Sequence, residues 1–213
     1  LSTIQTQASL LTLPVRLIPS EITWRNYIDI FKPAAFGENS GESTFLLSIR
    51  NSVIVSLGTT AVAMVFGTLA AYAFARFNFP RKRTLLLIVL GSQLLPAISL
   101  IIPLFRMFRN AQLLDSLVAL ILAYSTFSMP FVVWIMAGYF QSVPIELEEA
   151  ARIDGASRFQ SFIRVALPLA APGLAATAIF TLLNAWDEFF FALIFTSTYA
   201  AKTVPVALAE FIG

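Results

Sequence analysis

Two stretches of the 213-residue chain gather the side chains that could do chemistry. In residues 141–164, Glu146, Glu148, Glu149 and Asp154 are interleaved with Arg152, Arg158 and Arg164. Further on, Asn184, Trp186, Asp187 and Glu188 stand together inside an apolar run. Adjacent positions on a helix point about 100° apart, so Asp187 and Glu188 do not converge on one atom as a catalytic acid–base pair would. The chain has no His and no Cys, which removes the imidazole base, the thiolate nucleophile, the disulfide and the usual zinc site. No catalytic or metal-ligating residue is therefore assigned. What remains open to these clusters is binding, positioning and docking.

The elements that must carry them are set by hydropathy. Apolar residues make up 58% of the chain and charged residues 12%, about half the usual charged share, which excludes an ordinary water-soluble globule. A net charge of +2 is too balanced to indicate nucleic acid. Charge-free stretches at 51–75, 84–105, 116–145 and 165–186 are each long enough to cross the hydrocarbon layer, which takes about 20 helical residues. We expect an all-α, polytopic membrane bundle with spans at about 51–75, 84–105, 116–139 and 165–196. In the first, Ala63, Gly67, Ala71 and Ala75 recur every four residues and allow another helix to approach closely. Pro96 and Pro103 should kink the second. In the third, the hydroxyls of Ser125, Thr126 and Ser128 beside Pro130 either repair the backbone the proline disrupts or line a pore. Lys202 and Pro205 mark an exit loop, and residues 23–31 read as a segment lying on the membrane surface.

Between the third and fourth spans, residues 143–155 have the marks of a short surface helix. Pro144 suits its first position, the acids favour its positive end, Glu148 can pair with Arg152, and Gly155 suits a left-handed cap. A second short helix should start near Ser157. The loops at 76–83 and 140–164, which must share a side, hold seven Lys or Arg, against two in 106–115 and one in 197–205. The short-loop rule then places the polar loop in the cytoplasm.

Glu149-Ala150-Ala151, three residues, Gly155, nine residues, Val165, one residue, then Leu167-Pro168 resembles the EAA loop of binding-protein-dependent ABC importer permeases, with Val165 where Ile is usual. The wider context through Pro172 and 184–189 is similar to the carbohydrate branch, in particular the smaller permease of maltose- and trehalose-type systems. The resemblance implies a type I importer transmembrane domain in a prokaryotic cytoplasmic membrane. It also implies a second homologous permease, two ATPase subunits holding ATP and Mg, an extracytoplasmic solute-binding protein, and a sugar as cargo. In the family's frame, Glu149, Ala150, Ala151, Asp154, Gly155, Leu167 and Pro168 couple the loop to the ATPase. Residues 1–50 would be an extracytoplasmic or interfacial segment and 51–213 the permease domain, with the family's first and last helices outside this sequence. No G-x-x-x-x-G-K-[ST] run occurs, so the chain carries no Walker-type nucleotide site. A non-sugar permease of the same fold and an ion-coupled transporter are the alternatives, although no repeated halves of the kind the latter would show are evident.

Asn184, Trp186, Asp187 and Glu188 are the candidates for the translocation path. Asp187 lies about 22 Å along the helix from Pro172, and a carboxylate facing lipid at such a depth is costly. Amides and carboxylates suit sugar hydroxyls, and an indole suits a sugar face. The alternative is that the acids cap a break in the helix or brace the partner permease.

Overall fold

The computed structural model describes Trp24 and residues 44–212, and all regular structure among them is helical. The surface segment expected at 23–31 lies outside the described residues except for Trp24, which is exposed.

Helix α1, Thr44–Arg76, is unbroken over 33 residues, about 50 Å at the helical rise. It begins seven residues before the expected start at Asn51. Arg50 suggested a boundary, but it is exposed, while Thr44 and Ser48 are buried and the Ser48 hydroxyl donates to the Thr44 carbonyl at 3.0 Å. The Ser48 hydroxyl is thus satisfied within the helix, and the exposed Arg50 does not interrupt it. Ala63, Gly67 and Ala71 form its buried stripe. A Cβ on Gly67 would stand 2.7 Å from Val132 Cγ1, so the neighbouring helix approaches because glycine is there.

The second span is not one kinked helix. It is α2, Lys82–Gly91, a turn at Ser92–Leu94, an extended Leu95–Pro96 step, a turn at Ala97–Leu100, and α3, Ile101–Asn110, with 93° between the two arms. Pro96 pushes Leu95 out of helical geometry and offers no N–H, which breaks the ladder. Pro103 falls in the first turn of α3, where a missing N–H costs nothing.

Helix α4, Leu117–Ser142, crosses in one piece. Ser116 caps it, accepting from the Ala119 N–H at 3.2 Å. Around Pro130 the hydroxyls of Thr126 and Ser128 donate to the carbonyls of Leu122 and Tyr124, each at 2.9 Å, and Gln93 Nε2 donates to the Phe127 carbonyl at 2.9 Å. Gln93 of the broken second span thus bonds to α4 one residue past the Thr126 carbonyl, the one that Pro130 leaves without its helical donor.

Next come the surface helices α5, Ile145–Ile153, and α6, Arg158–Ser161. A widened turn at Phe162–Ala166 and α7, Leu167–Leu169, lead to α8, Ala171–Trp186, after a 77° bend, and α9, Phe190–Phe195, follows a second break. This replaces the single span expected at 165–196. Pro168 and Pro172 cannot donate to the carbonyls of Arg164 and Pro168, which accounts for the widened turn and the bend. Pro205 belongs to the first turn of α10, Val204–Ile212, so the exit loop is 196–203.

α1 and α4 pack side by side, with α8 against both. One buried cluster, with Val132, Met136, Phe140 and Phe162, lies toward the α5 loop. A second, with Val55, Phe108, Leu120 and Phe195, lies at the opposite end. The 76–83 and 140–164 loops do share an end, because Arg76 reaches Glu148 and the Val143 carbonyl. At the other end Asp115 joins Ser197 and Thr198.

Candidate functional site

Helix α5 starts one residue after Pro144, with Glu146 and Glu148 in its first turn and Arg152 in its last, the arrangement its dipole favours. It ends in a Schellman cap. Gly155, at φ +91°, donates to the Arg152 carbonyl at 3.1 Å, and Ala156 donates to the Ala151 carbonyl at 3.0 Å. Ser157 and Gln160 then form a reciprocal capping box that starts α6. Two stiff short helices result, held between α4 and α8.

The motif residues divide by direction. Glu149, Ala150, Asp154, Gly155 and Pro168 are exposed, Ala151 is half-buried, and Leu167 packs on the inner cluster. Glu148 corrects an expectation, since it does not pair with Arg152, which stays exposed. It turns inward, where its carboxylate accepts from Arg76 Nε at 2.6 Å and from the Tyr72 hydroxyl at 2.5 Å. The two charged side chains are only 9% and 6% exposed. Removing one member of such a pair costs about 3–5 kcal/mol, because the other is left buried and unpaired. In the sequence Arg76 reads only as a flank of the first span, and no local pattern ties it to Glu148.

Beside the break after α2 and the Pro130 region of α4, a cavity of about 520 Å³ opens. Phe127, Phe131, Trp134 and Phe180 supply aromatic surface, and Gln93, Ser128 and Asn184 supply polar groups. Both amides use an N–H on a backbone carbonyl, Gln93 on Phe127 at 2.9 Å and Asn184 on Phe180 at 2.8 Å. Their oxygens, with the Ser128 hydroxyl oxygen, are acceptors this wall can offer. Such a surface suits a neutral molecule with apolar faces and hydroxyl edges.

Of the four residues expected on a path, the cavity takes Asn184. Trp186 is half-buried and ends α8, and Asp187 is exposed, its N–H donating to the Leu183 carbonyl at 3.0 Å. Glu188 caps α9, accepting from the N–H groups of Phe191 at 3.1 Å and Ala192 at 3.3 Å. Capping of a helix break is therefore what Glu188 does here. Phe131 and Trp134, which sit in an apolar run, and Gln93, a polar residue of the second span, were not expected on this wall.

Residues 63–209 match the family model described as the binding-protein-dependent transport system inner membrane component. The chain belongs to that family. Its members are transport components of the membrane, and the family segment includes α4, the α5 loop, the cavity and α8. Among family relatives, the trehalose transport system permease protein SugB of Mycobacterium tuberculosis is 42% identical, over 93% of this chain and 69% of its own length. The sulfoquinovosyl glycerol transport system permease protein SmoH of Agrobacterium fabrum is 35% identical, over 100% and 71%. The trehalose/maltose transport system permease protein MalG of Thermococcus litoralis is 34% identical, over 92% and 68%. The fold matches a chain of a bacterial ABC transporter involved in the import of the acidic polysaccharide alginate, with a TM-score of 0.79 over 99% of this chain and 70% of that one, at 24% identity.

Proposed function

We propose that the chain is the permease subunit of an ATP-driven importer that moves a di- or oligosaccharide or a glycoside across a prokaryotic cytoplasmic membrane. The observation that carries the sugar reading is that family relatives named for trehalose, sulfoquinovosyl glycerol and trehalose/maltose transport align over at least nine-tenths of this chain. The aromatic and amide-lined cavity supports it, since sugars stack their C–H faces and donate from their hydroxyls.

In this reading the α5 loop faces the cytoplasm. Glu149, Ala150, Asp154 and Gly155 present the surface that enters an ATPase subunit, with Ala151, Leu167 and Pro168 fixing its seat. Two such ATPases hold ATP and Mg and supply the energy. A second homologous permease completes the path, and an extracytoplasmic binding protein delivers the sugar. Asn184, with Gln93 and Ser128, touches the cargo. Asp187 ends α8 and Glu188 caps the start of α9 beside the path, and Trp186 is the last residue of α8.

The test is uptake of labelled disaccharides by the reconstituted complex. ATP-dependent accumulation that persists without any ion gradient is expected, and accumulation that requires a gradient and ignores ATP would contradict the reading.

A further inference from the structure

Glu148 is held by three groups. Its carboxylate oxygens accept from Arg76 Nε at 2.6 Å and the Tyr72 hydroxyl at 2.5 Å, both on α1. Arg76 also donates from Nη2 to the Val143 carbonyl at 2.8 Å, at the end of α4. The Glu148 backbone carbonyl accepts from the Ser161 hydroxyl of α6 at 3.2 Å. The Tyr72 ring lies 4.6 Å from that of Phe162 and 5.5 Å from that of Phe140, which backs the pair on its inner side, while its outer side opens on a small cavity lined also by Glu149, Arg152 and Arg158. A buried ion pair adds little net stability over an apolar replacement, but its directional bonds fix one geometry. What it joins matters. α1 is unbroken for 33 residues, whereas the segments 82–110 and 158–186 are bent by 93° and 77°. At its far end Asn51 Nδ2 donates to the carbonyls of Tyr199 and Lys202, each at 3.0 Å.

We propose that Tyr72, Arg76 and Glu148 form a clamp that stays closed throughout transport and makes α5 and α1 one rigid body. Displacement of α5 by an ATPase is then delivered along α1 to the opposite end of the bundle and is not absorbed in the connector at 142–144. The three are positioning residues, and their assignment rests on the reading of the α5 loop as the ATPase contact.

The native absence of Cys allows a direct test in the complete reconstituted complex. In the Arg76→Cys/Glu148→Cys variant with free thiols, sugar moved per ATP hydrolysed should fall about tenfold, within the usual range of coupling energies, while hydrolysis continues. Bridging the two thiols with a short bis-methanethiosulfonate should restore the ratio. A bridged complex that hydrolyses ATP without transport would mean the clamp must open, and a normal ratio with free thiols would mean it is not needed; either overturns the proposal. Should the double variant fail to assemble, Tyr72→Phe keeps the ring and loses one bond to the carboxylate, and a fall of about threefold in the ratio is expected. An unchanged ratio in that variant overturns the proposal as well. The unmodified complex separates the two levels, because its failure to show ATP-driven uptake at all counts against the function reading and not the clamp.

Discussion

At the loop end of the bundle a buried guanidinium and carboxylate join α1 to α5, whereas at the opposite end α1 is joined through the neutral Asn51 and Ser52 side chains, and the charged groups there, Asp115 and the Lys202–Glu210 pair at 2.7 Å, are more exposed. There Asn51 holds the 196–203 loop, the Ser52 hydroxyl accepts from the Val204 N–H at 2.8 Å, and the half-exposed Asp115 carboxylate accepts from Ser197 N, Thr198 N and the Thr198 hydroxyl. The two ends therefore resist different things. Charge-assisted bonds between nearly buried groups hold one geometry against force, while neutral bonds and charged groups nearer to water can be exchanged at less cost. An end that receives a push and an end that admits a solute would differ in this way.

The largest effect should come from breaking the contact that both ends share. Gly67→Val puts a branched side chain where even a lone Cβ would stand 2.7 Å from Val132 Cγ1, and overpacking of this kind costs about 1–3 kcal/mol or more. The purified complex should lose several degrees in unfolding midpoint, and an unchanged midpoint would argue against the close approach of α1 and α4. Next is Gly155→Val. Space around Gly155 is open, so the penalty is the left-handed backbone alone, about 1–2 kcal/mol. Uptake should drop about tenfold or more with all helices still inserted, and normal uptake would show that the cap does not set the knob.

A smaller effect is expected at the cavity, between the two ends. Asn184→Ala removes a polar group from the lining and should raise the half-saturating sugar concentration several-fold, roughly the loss of one hydrogen bond. Asp187→Asn, outside the cavity, should leave it within about twofold of the native value. The reverse ranking would return the path to the acid pair.

The smallest effect is electrostatic. Burial disfavours the charge on Asp115, but the backbone N–H groups of Thr198 and Ser197, the Thr198 hydroxyl and Lys202 outweigh it and hold the carboxyl below its ordinary range. A depressed folded-state value means that this brace contributes fully above the unfolded pKa of about 4 and is lost as pH falls through the lower folded value. Unfolding of the native protein should therefore be more acid-sensitive than that of Asp115→Asn below about pH 4, and identical acid profiles would remove the brace.

Much of this was legible in the sequence because a membrane leaves few options. Long apolar runs must satisfy their backbones internally, so the all-helical class and the number of apolar segments followed from hydropathy. The shape of the breaks did not. Pro96 announces a disrupted ladder, but a 93° turn in place of a mild kink depends on partners such as the Phe127 carbonyl, found by Gln93 from another helix. The outward motif residues were legible through spacing, and Gly155 through its place after the last helical turn. Glu148 was not, because the local rule favours Arg152 four residues on, and the actual partner, Arg76, is 72 residues away. The aromatic wall of the cavity was hidden for a similar reason, since Phe131 and Trp134 look like any lipid-facing pair until α2 folds back beside them.

In the proposed orientation the end with the buried Arg76–Glu148 pair meets the cytoplasm and the end with the 196–203 loop meets the outside. Because the native chain has no Cys, single thiols can be read with an impermeant reagent on intact cells. Asn78, Asp154 and Ser197 are exposed, whereas Ser161 is buried and would report nothing. Ser197→Cys should be labelled from outside, and Asn78→Cys and Asp154→Cys should react only after the cells are opened. Labelling of Asp154→Cys in intact cells would contradict the orientation and the coupling built on it.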